Sequence, residues 1–221
     1  MKPTLERGRA TTPDGRHLTL HEHDGAFLIR VDGVELMSTR QHLSEERLAE
    51  LACGLIRGKP AARVLIGGLG MGFTLRAALA ALGPDARVTV AELVPAVIEW
   101  NRNPEFRLGA DALADPRVEV LAADVATVLA RRRGWHAVLL DVDNGADGLT
   151  TPSNDRLYSP AGLAAAKAAL VSGGCLAVWS AADDPAFVRR MERAGFMVTT
   201  ERVATHSGGG SRASIFLGRL Q

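Results

Sequence analysis

The chain has 221 residues, of which 47% are hydrophobic, and it carries 26 Lys and Arg residues against 25 Asp and Glu residues. A chain of this size has enough apolar material for one full-sized domain with a buried core. Its formal net charge of +1 argues against a protein that coats nucleic acid or an anionic membrane surface.

Neither a targeting segment nor a membrane segment is expected. Charged residues occur within positions 1–7, unlike in a secretory signal, and the charge-free stretches 64–75 and 168–182 are broken by glycine and shorter than the ~20 apolar residues of a spanning helix. Cys53 and Cys175 lack the spacing of a metal or redox pair, which favours two buried thiols in a reducing compartment. The sequence therefore predicts a cytoplasmic protein.

The N-terminal region predicts a small antiparallel meander. Leu18 and Leu20 alternate with polar neighbours, and so do Phe27, Ile29 and Val31. Asp-Gly pairs separate these period-two runs, and Asp-Gly is a strong signal for a two-residue hairpin turn. The pairs begin at positions 14, 24 and 32.

Helical and strand patterns alternate through the rest of the chain. Apolar residues at helical spacing follow Ser44, the predicted N-cap of a first helix, and short apolar strands then alternate with helices. Strands are expected at 64–66, 87–91, 118–122, 137–140 and 176–179, and helices at 73–82, from 95, and at 125–132, 161–170 and 185–194.

Two further strands, at 196–203 and 213–217, have no helix between them and are predicted to pair as an antiparallel hairpin at the sheet edge. Alternating strands and helices imply right-handed crossovers and a mainly parallel sheet with helices on both faces. The sequence thus predicts an α/β protein with a β meander over residues 1–43. Residues 44–221 are expected to form a doubly wound, Rossmann-like domain with a mainly parallel seven-stranded sheet.

The residues that follow each strand are the candidates for a binding site, because ligands bind beyond the carboxyl ends of parallel strands. The first strand is followed by closely spaced glycines that open a helix. Such glycines let the backbone approach a ligand, and the helix N-terminus supplies free N–H groups. The glycines are Gly67, Gly68, Gly70 and Gly72.

Acidic residues follow the next three strands. Glu92 can accept hydrogen bonds from both hydroxyls of a ribose, and Asp124 can accept one from the amine of adenine. Asp141 lies in the predicted cleft. Each has a simpler explanation on its own, such as a solvated loop acid or a helix N-cap, and tight packing explains a lone glycine-rich turn. Their combination at four consecutive strand ends predicts an adenosine-containing ligand.

The spacing of the glycines narrows the class of ligand. Gly68, Gly70 and Gly72 alternate with other residues, whereas a dinucleotide fingerprint places its third glycine where Phe73 stands. The Lys-Ser or Lys-Thr pair of a phosphate-binding loop is absent from this turn. A nucleoside that carries a sulfonium and no pyrophosphate fits this pattern best.

The run 64–72, with Glu92, Asp124 and the strand end at Asp141, resembles the spermidine synthase family of class I S-adenosylmethionine-dependent transferases. The resemblance covers roughly residues 17–203. It implies a methyltransferase-type fold that binds S-adenosylmethionine or its decarboxylated form, with Glu92 at the ribose hydroxyls and Asp124 at the adenine amine. The glycines, Leu93 and Val125 complete the predicted cofactor-binding residues. The resemblance also implies that Asp141 prepares the attacking amine. Asp143 is a candidate helper of Asp141 and equally a candidate for capping the turn at Asn144 and Gly145.

Three positions depart from the family pattern. Gly70 stands where the family usually has an Asp that holds the aminopropyl amine, Asn144 stands for the second acid of an Asp-x-x-Asp motif, and Glu50 is what remains of a Tyr-Gln-Glu run. Together with Tyr158, Asn144 and Glu50 are the predicted acceptor-binding residues. Fewer carboxylates weaken the case for a polycationic acceptor, because a buried ammonium needs compensating charge.

Three functions stay open from the sequence. The first is aminopropyl transfer to a di- or polyamine in polyamine biosynthesis. The second is methyl transfer to a small nucleophile, with Arg40 as a candidate partner of the cofactor carboxylate. The third is a non-catalytic nucleoside-binding protein. We expect a small acceptor molecule, no nucleic acid or membrane partner, no metal, a lid over residues 144–153 and a homodimer that covers the edge of the meander.

Overall fold

The structure, a computed structural model, describes residues 3–142 and 155–221. Asp24 and Gly25 have φ angles of 50° and 73°, and Asp32 and Gly33 have φ angles of 48° and 83°. Positive φ at both central residues is the type I′ turn geometry that Asp-Gly accommodates, so the predicted meander is confirmed. Its four antiparallel strands pair in sequence order: β1 (Leu5–Thr11), β2 (His17–His23), β3 (Ala26–Val31) and β4 (Val34–Ser38).

The second sheet has seven strands: β5 (Arg63–Gly67), β6 (Arg87–Glu92), β7 (Val118–Ala122), β8 (Trp135–Leu140), β9 (Leu170–Ser180), β10 (Met197–Ala204) and β11 (Arg212–Arg219). Their spatial order is β10-β11-β9-β8-β5-β6-β7. The strands from β9 to β7 pair in parallel, and β11 pairs antiparallel with both β9 and β10. The prediction of a mainly parallel, seven-stranded, doubly wound sheet with an antiparallel edge hairpin is confirmed. The connections diverge between β5 and β8, which is the switch point where such sheets bind ligands.

Helices cover both faces of this sheet. The prediction of Ser44 as the first N-cap is wrong, because the helix begins at Leu43, with His42 at the N-cap position, and Ser44 lies inside it. Two four-residue helices were not predicted, since so short a segment shows no 3.6-residue period. The helices are α1 (Leu43–Leu55), α2 (Phe73–Ala81), α3 (Pro95–Arg102), α4 (Ala110–Leu113), α5 (Val125–Arg131), α6 (Asp155–Tyr158), α7 (Pro160–Ala169) and α8 (Pro185–Arg193).

One apolar cluster joins the meander to the parallel sheet. Leu20 of β2 and Leu48 of α1 are both fully buried in it, together with Ile66 of β5. A second cluster on the opposite face of the sheet includes Leu65 and Phe187. Because the first cluster is continuous across the predicted domain boundary, the division at residues 43 and 44 stays a prediction. Within the part of the chain that is described, no helix is both long and apolar enough to cross a membrane.

The two cysteines are free and buried, as predicted. Burial raises the pKa of the Cys53 and Cys175 thiols to about 12. The thiolate is the nucleophile and metal ligand, so both thiols are inert at neutral pH.

Candidate active site

A cavity of about 420 Å³ lies between the carboxyl ends of the parallel strands and the meander. This volume falls in the range of about 300–1,000 Å³ that is typical of small-molecule sites. Its floor carries residues that the sequence singled out: Gly68, Gly70, Glu92, Leu93, Asp124, Val125 and Asp141. Its roof comes largely from the meander, through Leu18, Ile29, Val31, Leu36 and Met37. The predicted strand-end residues are therefore brought together in one cavity.

The glycine-rich turn follows β5 and is closely packed. Gly68 has a φ of 87°, which other residues rarely adopt, and a Cβ there would clash with the carbonyl oxygen of Asp141. A Cβ at Gly67 would lie 2.9 Å from Cγ2 of Val125, and one at Gly72 would lie 3.0 Å from Cα of Gly109. Gly67 and Gly72 thus hold the shape of the turn, while Gly68 and Gly70 present their backbone to the cavity.

Asn101 holds the glycine-rich turn through hydrogen bonds, and the sequence analysis did not predict this role. Its side chain is fully buried on α3. Its Nδ2 donates to the carbonyl oxygen of Gly70 at 2.8 Å, and its Oδ1 accepts from the backbone N–H of Gly109 at 3.0 Å. The available signal was a polar residue among the apolar positions of a short helix.

Glu92 ties the end of β6 to the glycine-rich turn. The backbone N–H groups of Leu69 and Val94 donate to its two carboxylate oxygens, each at 2.8 Å. Burial raises the pKa of Glu92, and these backbone hydrogen bonds oppose the rise. Because each carboxylate oxygen has a second lone pair, Glu92 can still accept hydrogen bonds from the hydroxyl groups of a ligand in the cavity.

Asp124 is the N-cap of α5, which was the simpler explanation considered for it. Its Oδ1 accepts the backbone N–H of Ala126 at 2.9 Å. Its Oδ2 forms an ion pair with Arg156 of α6, whose side chain is more than half exposed. The predicted partner of an adenine amine is therefore paired with a protein cation in this structure.

Asp141 follows β8 and is half-buried, and it interacts with the buried carboxyl of Glu45 from α1. Thr74 Oγ1 donates to Oδ2 of Asp141 at 2.6 Å, and Ser44 Oγ donates to Oε2 of Glu45 at 2.5 Å. Burial raises the pKa of Asp141 to about 6, against the effect of the Thr74 hydrogen bond. Burial and, after it, the charge of Asp141 raise the pKa of Glu45 to about 7. Two carboxyls that interact in this way titrate as a pair.

The remaining predicted residues lie elsewhere. Glu50 is exposed on α1, where it pairs with Arg47 at 3.0 Å, and the acidic residue of α1 that lines the cavity is Glu45. Tyr158 is buried, and its hydroxyl donates to the carbonyl oxygen of Val142 at 3.0 Å, so it contacts the chain just after β8. Asp143, Asn144 and the predicted lid over 144–153 lie outside the described residues.

Two further positions bear on the ligand. Met37 of β4 packs against Gly70, since a Cβ there would lie 2.6 Å from Cε of Met37. Arg40 is exposed and lies at a separate small pocket with His23 and Glu35.

Among residues 3–142 and 155–221, no group of three or more His, Cys, Asp or Glu side chains is arranged to hold a metal ion.

The fold and the cavity define a doubly wound α/β protein with a cavity at the switch point of its sheet. Among solved structures, the chain is similar to a spermidine synthase in complex with the transition-state analogue AdoDATO, with a TM-score of 0.75 and 19% identity over 98% of this chain and 72% of that chain. Spermidine synthase from Thermotoga maritima gives a TM-score of 0.76 and 19% identity over 98% and 73% of the two chains. A probable spermidine synthase from Corynebacterium glutamicum ATCC 13032 gives a TM-score of 0.66 and 17% identity over 96% of this chain and 79% of that chain.

No protein-family model and no curated protein matches the sequence. The structural comparisons therefore establish the fold alone. The chain has the fold of spermidine synthases over nearly its whole length, and the resemblance seen in the sequence is confirmed at that level.

Proposed function

We propose that this protein is a spermidine synthase-like transferase that binds S-adenosylmethionine or its decarboxylated form and transfers an aminopropyl group to a small amine. The observation that carries the proposal is the partly buried carboxyl of Asp141, with its raised pKa, in the same cavity as the glycine-rich turn and Glu92. A carboxyl in this position can take a proton from an amine next to a bound nucleoside.

The cavity suits such a nucleoside in size and chemistry. Gly68 and Gly70 leave the backbone open to close approach, Glu92 keeps lone pairs for ribose hydroxyls, and Val94 and Val97 add apolar wall beside it. The ion pair between Asp124 and Arg156 would have to open for Asp124 to receive an adenine amine. Exposed ion pairs contribute about 0–1 kcal/mol, so this rearrangement would cost little.

The residues of this chain would act mainly by positioning and proton transfer. The bound cofactor supplies a carbon activated by its sulfonium leaving group. An ammonium acceptor, with a pKa of ~10 in water, must first lose a proton, and the apolar walls lower its pKa by desolvation. Asp141, oriented by Thr74, takes that proton. The acceptor nitrogen then forms the new C–N bond as the C–S bond breaks and sulfur keeps the electron pair.

The alternatives predict different ligands. Methyl transfer would use the carboxylated cofactor, and its candidate anchor Arg40 does not line the cavity within the described part of the chain. A non-catalytic nucleoside-binding protein would bind the nucleoside without needing Asp141. We further propose that the protein is a homodimer, since β1 and β4 are the edge strands of the meander; sedimentation as a monomer at micromolar concentration would argue against the dimer. The two free cysteines support the proposal of a cytoplasmic location.

Calorimetric titration with S-adenosylmethionine and with its decarboxylated form tests the proposal. We expect tighter binding of the decarboxylated form, and release of methylthioadenosine when putrescine is added to that complex. Asp141→Asn should bind methylthioadenosine, which has no ammonium group, as the wild type does, and it should no longer form methylthioadenosine from the decarboxylated cofactor and putrescine. Preference for the carboxylated form would favour methyl transfer. If neither form binds, the assignment of the cavity to a sulfonium nucleoside is wrong.

A further inference from the structure

Among the described residues, five carboxylates line the cavity, of which two are held by other groups of the protein and a third is exposed. Glu92 is held by backbone N–H groups, and Asp124 by Arg156 and the start of α5. Glu35 of β4 is exposed at the rim. The two remaining carboxylates are those of Glu45 and Asp141, and both residues line the cavity.

Glu45 and Asp141 are bound by hydroxyl groups and by no cation among the described residues. Ser44 donates to Glu45, and Thr74 donates to Asp141. Thr74 Oγ1 also lies 3.4 Å from the carbonyl oxygen of Glu45, which links the first turn of α1 to the end of β8. Arg212, the cationic residue in the described wall, is not among the groups that act on either carboxyl. Each carboxylate therefore keeps acceptor positions open to the cavity.

A buried and a half-buried carboxyl without a cation carry an electrostatic cost that a ligand can relieve. When they interact, the pair holds a proton to a higher pH than separate carboxyls in water would, because the second negative charge is unfavourable in a desolvated site. A positively charged group between them removes that penalty and displaces the proton. A metal ion would need more ligands than this pair offers, whereas an ammonium has three N–H donors for the open oxygens.

We propose that Glu45 and Asp141 together bind one ammonium group of the ligand, with Glu45 as the specificity-determining partner of Asp141. This inference rests on the proposed function, because it assigns the amine end of the same cavity. The ammonium can belong to the acceptor or to the amino group of the cofactor tail. In either case its binding expels the proton that the pair holds in the free protein.

Proton release makes amine affinity depend on pH. Affinity should rise with pH through the range in which the pair titrates and level off once both carboxyls are ionised. The other charged groups at this site come from several elements. They are Glu46 on α1, Glu92 at the end of β6, Asp124 with Arg156, Glu35 on β4 and Arg212 on β11.

The test is calorimetric titration at pH 6.5, repeated in buffers of different ionisation enthalpy so that released protons are counted. The probes are methylthioadenosine, which has no ammonium group, decarboxylated S-adenosylmethionine, and putrescine added with methylthioadenosine. Glu45→Gln keeps the shape of the side chain, and Glu192→Gln is the same change at an exposed position of α8. Thermal unfolding confirms that each variant is folded.

We expect about one proton to be released per ammonium bound in the wild type. In Glu45→Gln this release should disappear and affinity should fall by about tenfold or more, while methylthioadenosine binding and Glu192→Gln stay unchanged. A loss confined to putrescine assigns the pair to the acceptor amine, and a loss confined to the decarboxylated cofactor assigns it to the tail.

Three outcomes would overturn the inference: no proton release with either amine, equal amine affinity in Glu45→Gln and wild type, or a loss that extends equally to methylthioadenosine. Failure of the proposed function looks different. In that case methylthioadenosine does not bind the wild type at all, and proton release on titration with putrescine alone still decides whether the pair binds an ammonium.

Discussion

Glu45 should make the protein less stable at alkaline pH, and its removal should reverse this effect. Its pKa is raised in the folded protein from 4.5 to about 7, chiefly by burial. Between these values the folded state binds more protons than the unfolded state, so the free energy of unfolding falls as the pH rises. Above pH 7 the folded state carries the full cost of an ionised, buried Glu45.

The size of this cost follows from the raised pKa. Each pKa unit corresponds to about 1.4 kcal/mol, so a rise from 4.5 to about 7 corresponds to about 3 kcal/mol. Glu45→Gln keeps the hydrogen bond from Ser44 and cannot ionise. We therefore expect Glu45→Gln to be about 3 kcal/mol more stable than the wild type at pH 8 and equally stable at pH 4, where both states of the wild type are protonated.

Thermal unfolding at pH 4, 6 and 8 measures this difference. For a chain of this length about 3 kcal/mol corresponds to about 6–12 °C in the unfolding midpoint. Glu192→Gln, at an exposed position, should shift the midpoint little at any of these pH values. A Glu45→Gln variant that is less stable than the wild type at pH 8, or that differs from it by the same amount at every pH, would refute the argument.

Three other substitutions test the architecture of the cavity. Gly68→Ala places a Cβ against the carbonyl of Asp141 at a φ of 87°. We therefore expect the free energy of unfolding, measured by chemical denaturation, to fall by about 1–3 kcal/mol, and methylthioadenosine binding to weaken. An unchanged midpoint and affinity would contradict the packing described here. Asn101→Ala leaves the buried Gly70 carbonyl and Gly109 N–H without their partner, which should cost about 1–3 kcal/mol in the same assay, and a cost near zero would show that the turn is held by other contacts. Arg156→Ala removes the exposed ion pair of Asp124, so stability should change by less than about 1 kcal/mol while methylthioadenosine binding is kept or tightened; weakened binding would mean that Arg156 itself contacts the nucleoside.

Much of the sheet could be predicted because its strands are either fully buried or alternate clearly. The runs around Leu20 and Ile29 gave β2 and β3, and the Asp-Gly turns gave their pairing. β1 and β4 could not be placed with the same clarity, because most of their residues are exposed or half-buried and carry little apolar alternation. β9 begins at Leu170 rather than at 176 because the strand continues through Gly173 and Gly174, where its register with β8 shifts.

The candidate site divides in a similar way. Strand-end reasoning brought Glu92, Asp124 and Asp141 to one edge of the sheet, because that placement follows from parallel topology alone. Glu45 could not be found in this manner. An acid in the first turn of a helix is usually an exposed partner of the helix dipole. The burial of Glu45 depends on how α1 packs against Thr74 and the end of β8. That packing cannot be predicted from the pattern of neighbouring residues in the sequence.

The meander belongs to the proposed chemistry although it supplies neither carboxyl of the pair. A parallel sheet alone offers an open crevice at its switch point, in which Glu45 and Asp141 would be hydrated and would ionise normally. Met37 packs against Gly70, and Leu18 and Ile29 roof the same cavity. Exclusion of water is the largest cause of the raised pKa at both carboxyls. The ability of the pair to hold a proton, and to exchange it for an ammonium, therefore depends on the N-terminal sheet.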